Sequence, residues 1–348
     1  MLLFEKQNYF YVKVKIIQNI FPYFWELPNI ATIDSGGFLN LSLIYPNIEI
    51  AMSNIRVCGF SFVKNAVKFD YPIIEAITSI LPICDKFIVA VGDCDDGTRA
   101  LIESIDSDKI EVIDTVWDPS LRERGRVLAS ETNKAFDAIP AEYDWCFYIQ
   151  GDEIIHEKYL PEIVLSMEKH LNTKEIDGLI MHFTHFYGTY DYYADSRRWY
   201  RSEIRIIRNN KEIRSWNDAQ GFRWKNAKKL TGIFINASMF HYGWVRPPKL
   251  MKDKLEGSKQ YWSAQSKHIK TIDQESEEFE YEKGIDSLKL FRETHPKVMQ
   301  ARINSLNWHP KLSTKKKKFN VRYFVLYWFE KLFNYRPFEN KHFIEYKE

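Results

Sequence analysis

Little in this sequence is extreme, and each shortage removes a class of protein. The four cysteines, Cys58, Cys84, Cys94 and Cys146, include no Cys-x-x-Cys pair. Cys58 and Cys146 fall inside predicted buried strands and read as small hydrophobes. Reduced thiols in a cytosolic protein are their simplest account. No uninterrupted apolar run reaches the roughly 18 residues that a spanning helix needs. The first residues lack the order of a secretory leader, which is a basic region, an apolar run and a small-residue cleavage site, so secretion is not expected. Net charge is only +2, too small for the strong field of a nucleic-acid binder. No Gly-x-Gly-x-x-Gly follows a predicted strand, and no phosphate loop ending in Gly-Lys-Ser/Thr occurs.

What remains is a chain of 348 residues with ample core, long enough for one large domain or two smaller ones. Four regions differ in character: 1–51, 52–175, 176–265 and 266–348. The first is rich in aromatics, Asn and Ile, and Pro22, Pro28, Pro46 and Gly36-Gly37 break any period. Met52-Ser53-Asn54 leads straight into a predicted strand. Met52 is therefore read as the natural start and 1–51 as an upstream extension, the alternative being an N-terminal arm packed on the body.

From Ile55 the elements alternate. Strands are predicted at 56–62, 86–91, 110–114 and 145–149, with helices at 70–79, 98–105 and 122–138 between them. That alternation predicts parallel βαβ units and an α/β doubly wound, mostly parallel sheet. The apolar runs at 87–91 and 147–149 suit central strands buried on both faces. Beyond residue 152 the pattern becomes mixed. A helix is predicted at 159–170 and a strand at 178–186. A hairpin is expected from 203–208 and 212–216 about an Asn209-Asn210 turn. Another strand follows at 233–241, and Pro247-Pro248 opens a helix to about residue 263. Helical segments are expected at 287–291 and 298–305.

The tail from Lys311 has ten Lys/Arg against four Glu, including Lys315–Lys318, and then the aromatic run 323–329. Two readings stay level: a helix lying on an anionic membrane surface, or a C-terminal helix docked on its own domain.

Two acidic turns carry the chemistry. Strand 145–149 ends in Gln150-Gly151-Asp152-Glu153, delivering Asp152 to the carboxyl edge of the sheet, where open α/β sheets bind ligands. A hard divalent cation there would need oxygen ligands and could bridge two phosphates. Upstream, strand 86–91 ends in Gly92-Asp93-Cys94-Asp95-Asp96-Gly97-Thr98. One of these acids suffices to cap the next helix, which leaves others free for ribose hydroxyls or a base N–H.

In these features the chain resembles the GT-A glycosyltransferases, specifically the family 2-like enzymes of bacterial surface-polysaccharide synthesis. The segments that carry the likeness are 59–65, Asp93–Thr98, 122–133 and Gln150-Gly151-Asp152, within a span of roughly 55–244. The resemblance implies a nucleotide-diphosphate sugar donor bound by 52–175, and a glycan or lipid-linked acceptor bound by 176–265. Region 266–348 would then be a basic, aromatic, helical tail. It implies Asn65, Asp93, Asp95, Asp96, Arg126, Asn133 and Gln150 at the nucleotide. It also implies Mn²⁺ or Mg²⁺ on Asp152, with His241 as a further ligand. Read from its neighbours alone, His241 is a structural residue of an aromatic cluster. Two departures stand out: Gln150 replaces the first Asp of the family's DxD, and the upstream acids are displaced from their usual positions.

An inverting transfer needs a carboxylate to take the acceptor hydroxyl's proton. Asp218, among aromatics in 216–224, is the first candidate and Glu203 the second, while an Asx turn is the structural alternative for Asp218. Gln220–Trp224 fits the QxxRW pattern of processive synthases, and without their membrane spans this is taken as coincidence. The expected activity is hexosyl transfer in the cytoplasm or at the inner membrane face. The alternatives are a nucleotidyltransferase, or a degenerate transferase that binds glycan or a partner enzyme.

Overall fold

The computed structural model describes residues 32–33, 39–40, 49–50, 55–121, 123–262, 276–315 and 317–347. The chain divides into two compact units, Met1–Ile55 and Arg56–Glu348. In the first, the two-residue strands Thr32–Ile33, Leu39–Asn40 and Glu49–Ile50 pair antiparallel in that order. The start expected at Met52 lies outside the described residues.

The second unit is built on one eleven-stranded mixed sheet. Its first half contains β1 (Val57–Val63), α1 (Ile73–Ile80), β2 (Lys86–Val91), α2 (Thr98–Glu103), β3 (Ile110–Asp114), α3 (Arg126–Asp137) and β4 (Trp145–Tyr148). These four strands are mutually parallel in the order β3-β2-β1-β4. Residues of both parities are buried along β1 and β2, as expected of strands covered on two faces. Cys58, Phe60, Ile88, Ala90, Cys146 and Tyr148 share one core with Ala135 and Phe136 of α3. Because β1 is followed by β2 on one side and lies against β4 on the other, the sheet has a switch point between β1 and β4. Ligand clefts form at such points, beyond the carboxyl ends of the strands.

The second half adds β5 (Glu153–Ile155), α4 (Leu160–Lys169), β6 (Gly178–Tyr187), β7 (Thr189–Ala194), β8 (Ser202–Arg208), β9 (Ile213–Trp216), β10 (Gly221–Trp224), β11 (Thr231–Trp244), α5 (Pro248–Ser258), β12 (Leu288–Leu290), α6 (Val321–Phe333) and β13 (Ile344–Glu345). Antiparallel β8 joins β4 to β6, and β7 and β12 continue the sheet to its edge. The long β11 runs parallel to β6 and antiparallel to β5, so His241 lies opposite both His185 and Glu153.

Three expectations are corrected. β8 does not form a hairpin with 212–216. Its Ile204, Ile206 and Ile207 are buried between β4 and β6, which is an interior position. The hairpin is instead β9 with β10, and this places Asp218 in its loop. The helix expected from residue 122 begins at Arg126, because Arg124 and Gly125 have left-handed backbone, φ 53° and 69°, which an α-helix cannot continue through. Segment 288–290 is a strand, not a helix. Pairing with β7, which makes it the edge strand of the sheet, overrides the weak helical preference of so short a piece.

Candidate active site

A cleft of about 190 Å³ opens at the switch point. Its wall from β1 is Phe62, Val63 and Lys64, and its floor after β4 is Gln150, Gly151 and Asp152. Trp117 comes from the loop after β3, Asp218 from the β9–β10 loop, and Lys254, Ser258, Tyr261 and Trp262 from α5 and its end. Segments far apart in the sequence thus converge around Asp152.

Asp152 is 8 % exposed. Its Oδ2 accepts a hydrogen bond from Lys254 Nζ at 3.1 Å. Burial alone would raise its pKa, but the positive charges of Lys254 and Arg246 hold it well below the usual carboxylate range. Lys254 also donates to the Gly243 carbonyl at 2.9 Å and sits 4.8 Å above the Tyr71 ring. Burial and the nearby Arg246 push it down to about 8, although Asp152 pulls the other way. Arg246, fully buried, covers the same Tyr71 ring at 4.9 Å. Two buried cations therefore face one carboxylate, leaving a surplus positive charge beneath the cleft.

The neighbouring residue is locked away from the cleft. Glu153 is fully buried and takes a bidentate pair from Arg205 of β8, at 2.7 and 2.9 Å. Arg205 also donates to the Gln220 carbonyl at 2.7 Å. The pair ties the start of β5 to the β9–β10 loop, so the segments carrying Asp152 and Asp218 are held by one bidentate clamp.

The histidines set a definite proton arrangement. His185 Nε2 lies 2.8 Å from the Tyr200 carbonyl, which can only accept, so this nitrogen carries the proton. Burial holds His185 and His241 neutral, with pKa values below the usual histidine range. His185 Nδ1 is then an acceptor, and at 3.1 Å it takes the Nδ1–H of His241. The remaining His241 nitrogen, Nε2, presents a bare lone pair to Asp152 Oδ1, 3.7 Å away. Two acceptors face each other with no proton between them. A Cβ on Gly243 would stand 2.6 Å from His241 Nε2 and 2.8 Å from Asp152 Oδ2, so glycine keeps this gap open.

A divalent ion fits that pair. Two donors each about 2.1 Å from one ion can lie up to about 4.2 Å apart, and the second nitrogen of His241 is hydrogen-bonded as metal-bound histidines require. Among the described residues no three His, Cys, Asp or Glu converge. A bound ion would therefore draw its other ligands from water and substrate, as Mg²⁺ commonly does beside phosphates.

Asp218 faces the same cleft. Its flanking residues Asn217 and Ala219 are both left-handed, φ 53° and 61°, a strained arrangement that aims the side chain between them. Burial raises its carboxyl pKa, opposed by the Gln220 backbone N–H. That bond closes an Asx-type turn, so the turn and the cleft position coexist. Gly125 packs close beneath it, where a Cβ would meet Asp218 Cβ at 3.1 Å.

The other sequence candidates divide. Gln150 lines the cleft and donates through Nε2 to Tyr148 Oη at 3.2 Å and to the Ala219 carbonyl at 3.1 Å. Asp93 pairs with Lys64 at 2.5 Å, below Trp117. Asp96 accepts from Thr98 Oγ1 at 2.6 Å and from the Lys68 N–H at 2.7 Å, the loop-tying role of a cap. Asp95 is exposed. Asn65 is left-handed, φ 56°, and its Oδ1 is buried with no hydrogen-bond partner among the described residues. Arg126 is exposed and lies 4.0 Å from Glu123. Asn133 accepts the Ser215 N–H at 2.9 Å, joining α3 to β9. Glu203 does not line the cleft; it is buried and bonded to Gln220 at 2.8 Å and His342 at 2.8 Å.

Sequence reasoning missed Lys254, Arg246, His185, Arg205 and the ring pair Trp117–Tyr261, whose centroids are 4.9 Å apart. An isolated Lys or Trp in a helix or loop carries no local signal. His185 is three residues from His182 in a strand, so the two point to opposite faces and their spacing indicates no site; the partner of His185 comes from β11.

No protein-family profile and no curated protein sequence matches the chain. Among solved structures it is similar to S. aureus TarS residues 1–349, at 13% identity over 63% of this chain and 69% of that one, TM-score 0.35. The same fragment in complex with UDP matches at 13% identity over 63% and 69% of the two chains, TM-score 0.34. A putative nucleotide-diphospho-sugar transferase from Desulfovibrio desulfuricans G20 matches at 14% identity over 45% of this chain and 65% of its own, TM-score 0.26. At these scores the neighbours carry no weight for function, which rests on the cleft.

Proposed function

We propose that this chain is a GT-A-type, family 2-like glycosyltransferase that moves a sugar from a nucleotide-diphosphate donor to a glycan or lipid-linked acceptor, with Mn²⁺ or Mg²⁺ on Asp152 and His241. The observation that carries the reading is the gap between the bare His241 Nε2 and the ionised Asp152, in a cleft that also holds a carboxylate of raised pKa. The bound ion would neutralise charge on the departing diphosphate. Lys254, once released from Asp152, is a charged donor for a phosphate oxygen. Trp117 and Tyr261 offer an aromatic surface for the base, with Lys64 and Asp93 at its rim. Asp218 takes the acceptor hydroxyl's proton as that oxygen attacks the anomeric carbon; its raised pKa suits a base working near neutral pH.

The binding-only alternative draws support from Gln150, a poor metal ligand tied by its amide to Tyr148 and Ala219. Calorimetric titration of UDP and GDP, with Mn²⁺ and with EDTA, separates the two. Metal-dependent binding that Asp152→Ala abolishes is the expected result. No binding of these nucleotides, nor of CMP or dTDP, would overturn the transferase reading.

A further inference from the structure

Helix α6 is built inside out. Val321, Phe324, Val325, Trp328, Phe329, Leu332 and Phe333 recur at the spacing of one helical stripe, and all are exposed, Val321 by 82% and Leu332 by 76%. The buried face is polar. Glu330, 6% exposed, receives Arg336 Nε at 2.9 Å, Arg201 Nη1 at 3.2 Å and Arg197 Nη1 at 3.3 Å. Tyr327, one turn earlier, donates its Oη–H to Asp195 at 2.7 Å. An ordinary surface helix does the reverse, so these ion pairs hold the helix to the body while its apolar stripe faces outward. Asn320 caps its start, accepting the Tyr323 N–H at 2.8 Å.

We infer that this stripe is a docking surface for an anionic lipid bilayer, on which α6 lies without crossing. Charge decides the occupant. In segment 311–338 the only acidic residue is Glu330, consumed by its arginines, whereas Lys311, Lys315, Lys318 and Arg322 are exposed. A second copy would bring the same positive charges face to face; an anionic surface would be attracted to them while the aromatic side chains enter the headgroup boundary. At 13 residues α6 spans only about 20 Å, and among the described residues no helix is long and apolar enough to cross a membrane. This inference does not depend on the transferase reading, because α6 contributes nothing to the cleft.

The test is co-sedimentation of the full chain with phosphatidylcholine vesicles and with vesicles containing one quarter phosphatidylglycerol. The expected result is at least tenfold stronger partition to the anionic vesicles, weakened in 0.5 M NaCl. The double variant Phe329→Glu/Leu332→Glu should lose it at least tenfold. Both side chains are solvent-exposed, so unchanged circular dichroism and melting will show that the variant is folded. Equal partition to both vesicle types, partition unaffected by the variant, or a dimer in sedimentation velocity that the variant dissociates would each overturn the inference.

Discussion

Replacing Lys254 by Met tests the architecture of the cleft most directly. The ammonium lies 3.1 Å from Asp152 Oδ2, with both side chains largely buried, 17% and 11% exposed. At an effective dielectric constant of about 20 this pair is worth roughly 5 kcal/mol before desolvation. Deleting one member of a buried pair typically costs about 3–5 kcal/mol, because the other charge is left uncompensated. Arg246 and the open cleft soften that loss, so about 3 kcal/mol is expected. For a unit the size of Arg56–Glu348, with an unfolding entropy of about 0.6 kcal/mol/K, it corresponds to a fall in Tm of roughly 5 °C in EDTA. Met preserves most of the side-chain volume above Tyr71, so the loss is electrostatic. A divalent ion on Asp152 and His241 replaces the missing charge, and at about a hundredfold excess over Kd it returns about 2.7 kcal/mol. In the wild type the same ion must first displace Lys254 and stabilises less. Thermal melting at pH 7 of both proteins, with EDTA and with 1 mM Mn²⁺, reads this directly. A Mn²⁺ shift no larger in Lys254→Met than in the wild type would refute a cation site between Asp152 and His241.

Three further outcomes follow from the geometry. Asp218→Asn should lower sugar-transfer kcat by roughly 10²–10⁴-fold while leaving nucleotide affinity unchanged in calorimetry; an unaltered kcat would remove Asp218 as the base. Gly243→Ala places a methyl between His241 and Asp152 and should weaken metal-dependent nucleotide binding at least tenfold, with an overpacking cost of about 1–3 kcal/mol seen in melting. His295 donates from Nε2 to the Tyr190 carbonyl at 3.1 Å and accepts from Tyr242 Oη at 2.7 Å, and burial pushes it down to about 4. Its folded pKa lies below the unfolded value of about 6.5, so acid favours unfolding. Its contribution is complete above pH 6.5 and is lost as pH falls towards 4. The fall in Tm from pH 7 to pH 5 should therefore shrink in His295→Asn.

The parallel half of the fold was legible because its signals are local. Strand 86–91 carries an apolar run closed by turn residues and 110–114 is a short Ile/Val-containing segment, and the structure keeps both boundaries unchanged. Asp152 could be placed at the carboxyl edge of the sheet because a short apolar strand leads directly into it. Strand β8 misled for the same reason: its sequence resembles half of a hairpin, and only its burial between β4 and β6 reveals an interior strand. That burial puts Arg205 on Glu153, 52 residues away, a partnership that no spacing rule can express.

Residue types and periodicity thus determined where strands and helices alternate, where carboxylates leave the sheet, and that the tail holds an aromatic, basic helix. Tertiary structure alone decided which acids do what. Asp152 faces a bare histidine nitrogen, Glu153 is clamped by arginine, Asp96 caps a turn, and Asp218 enters the cleft from the β9–β10 loop. It also decided that α6 turns its polar side inward. The physical reason is common to all of these cases. Charge, protonation and exposure depend on partners brought together from distant parts of the chain, and such long-range pairings leave no periodic trace in the sequence.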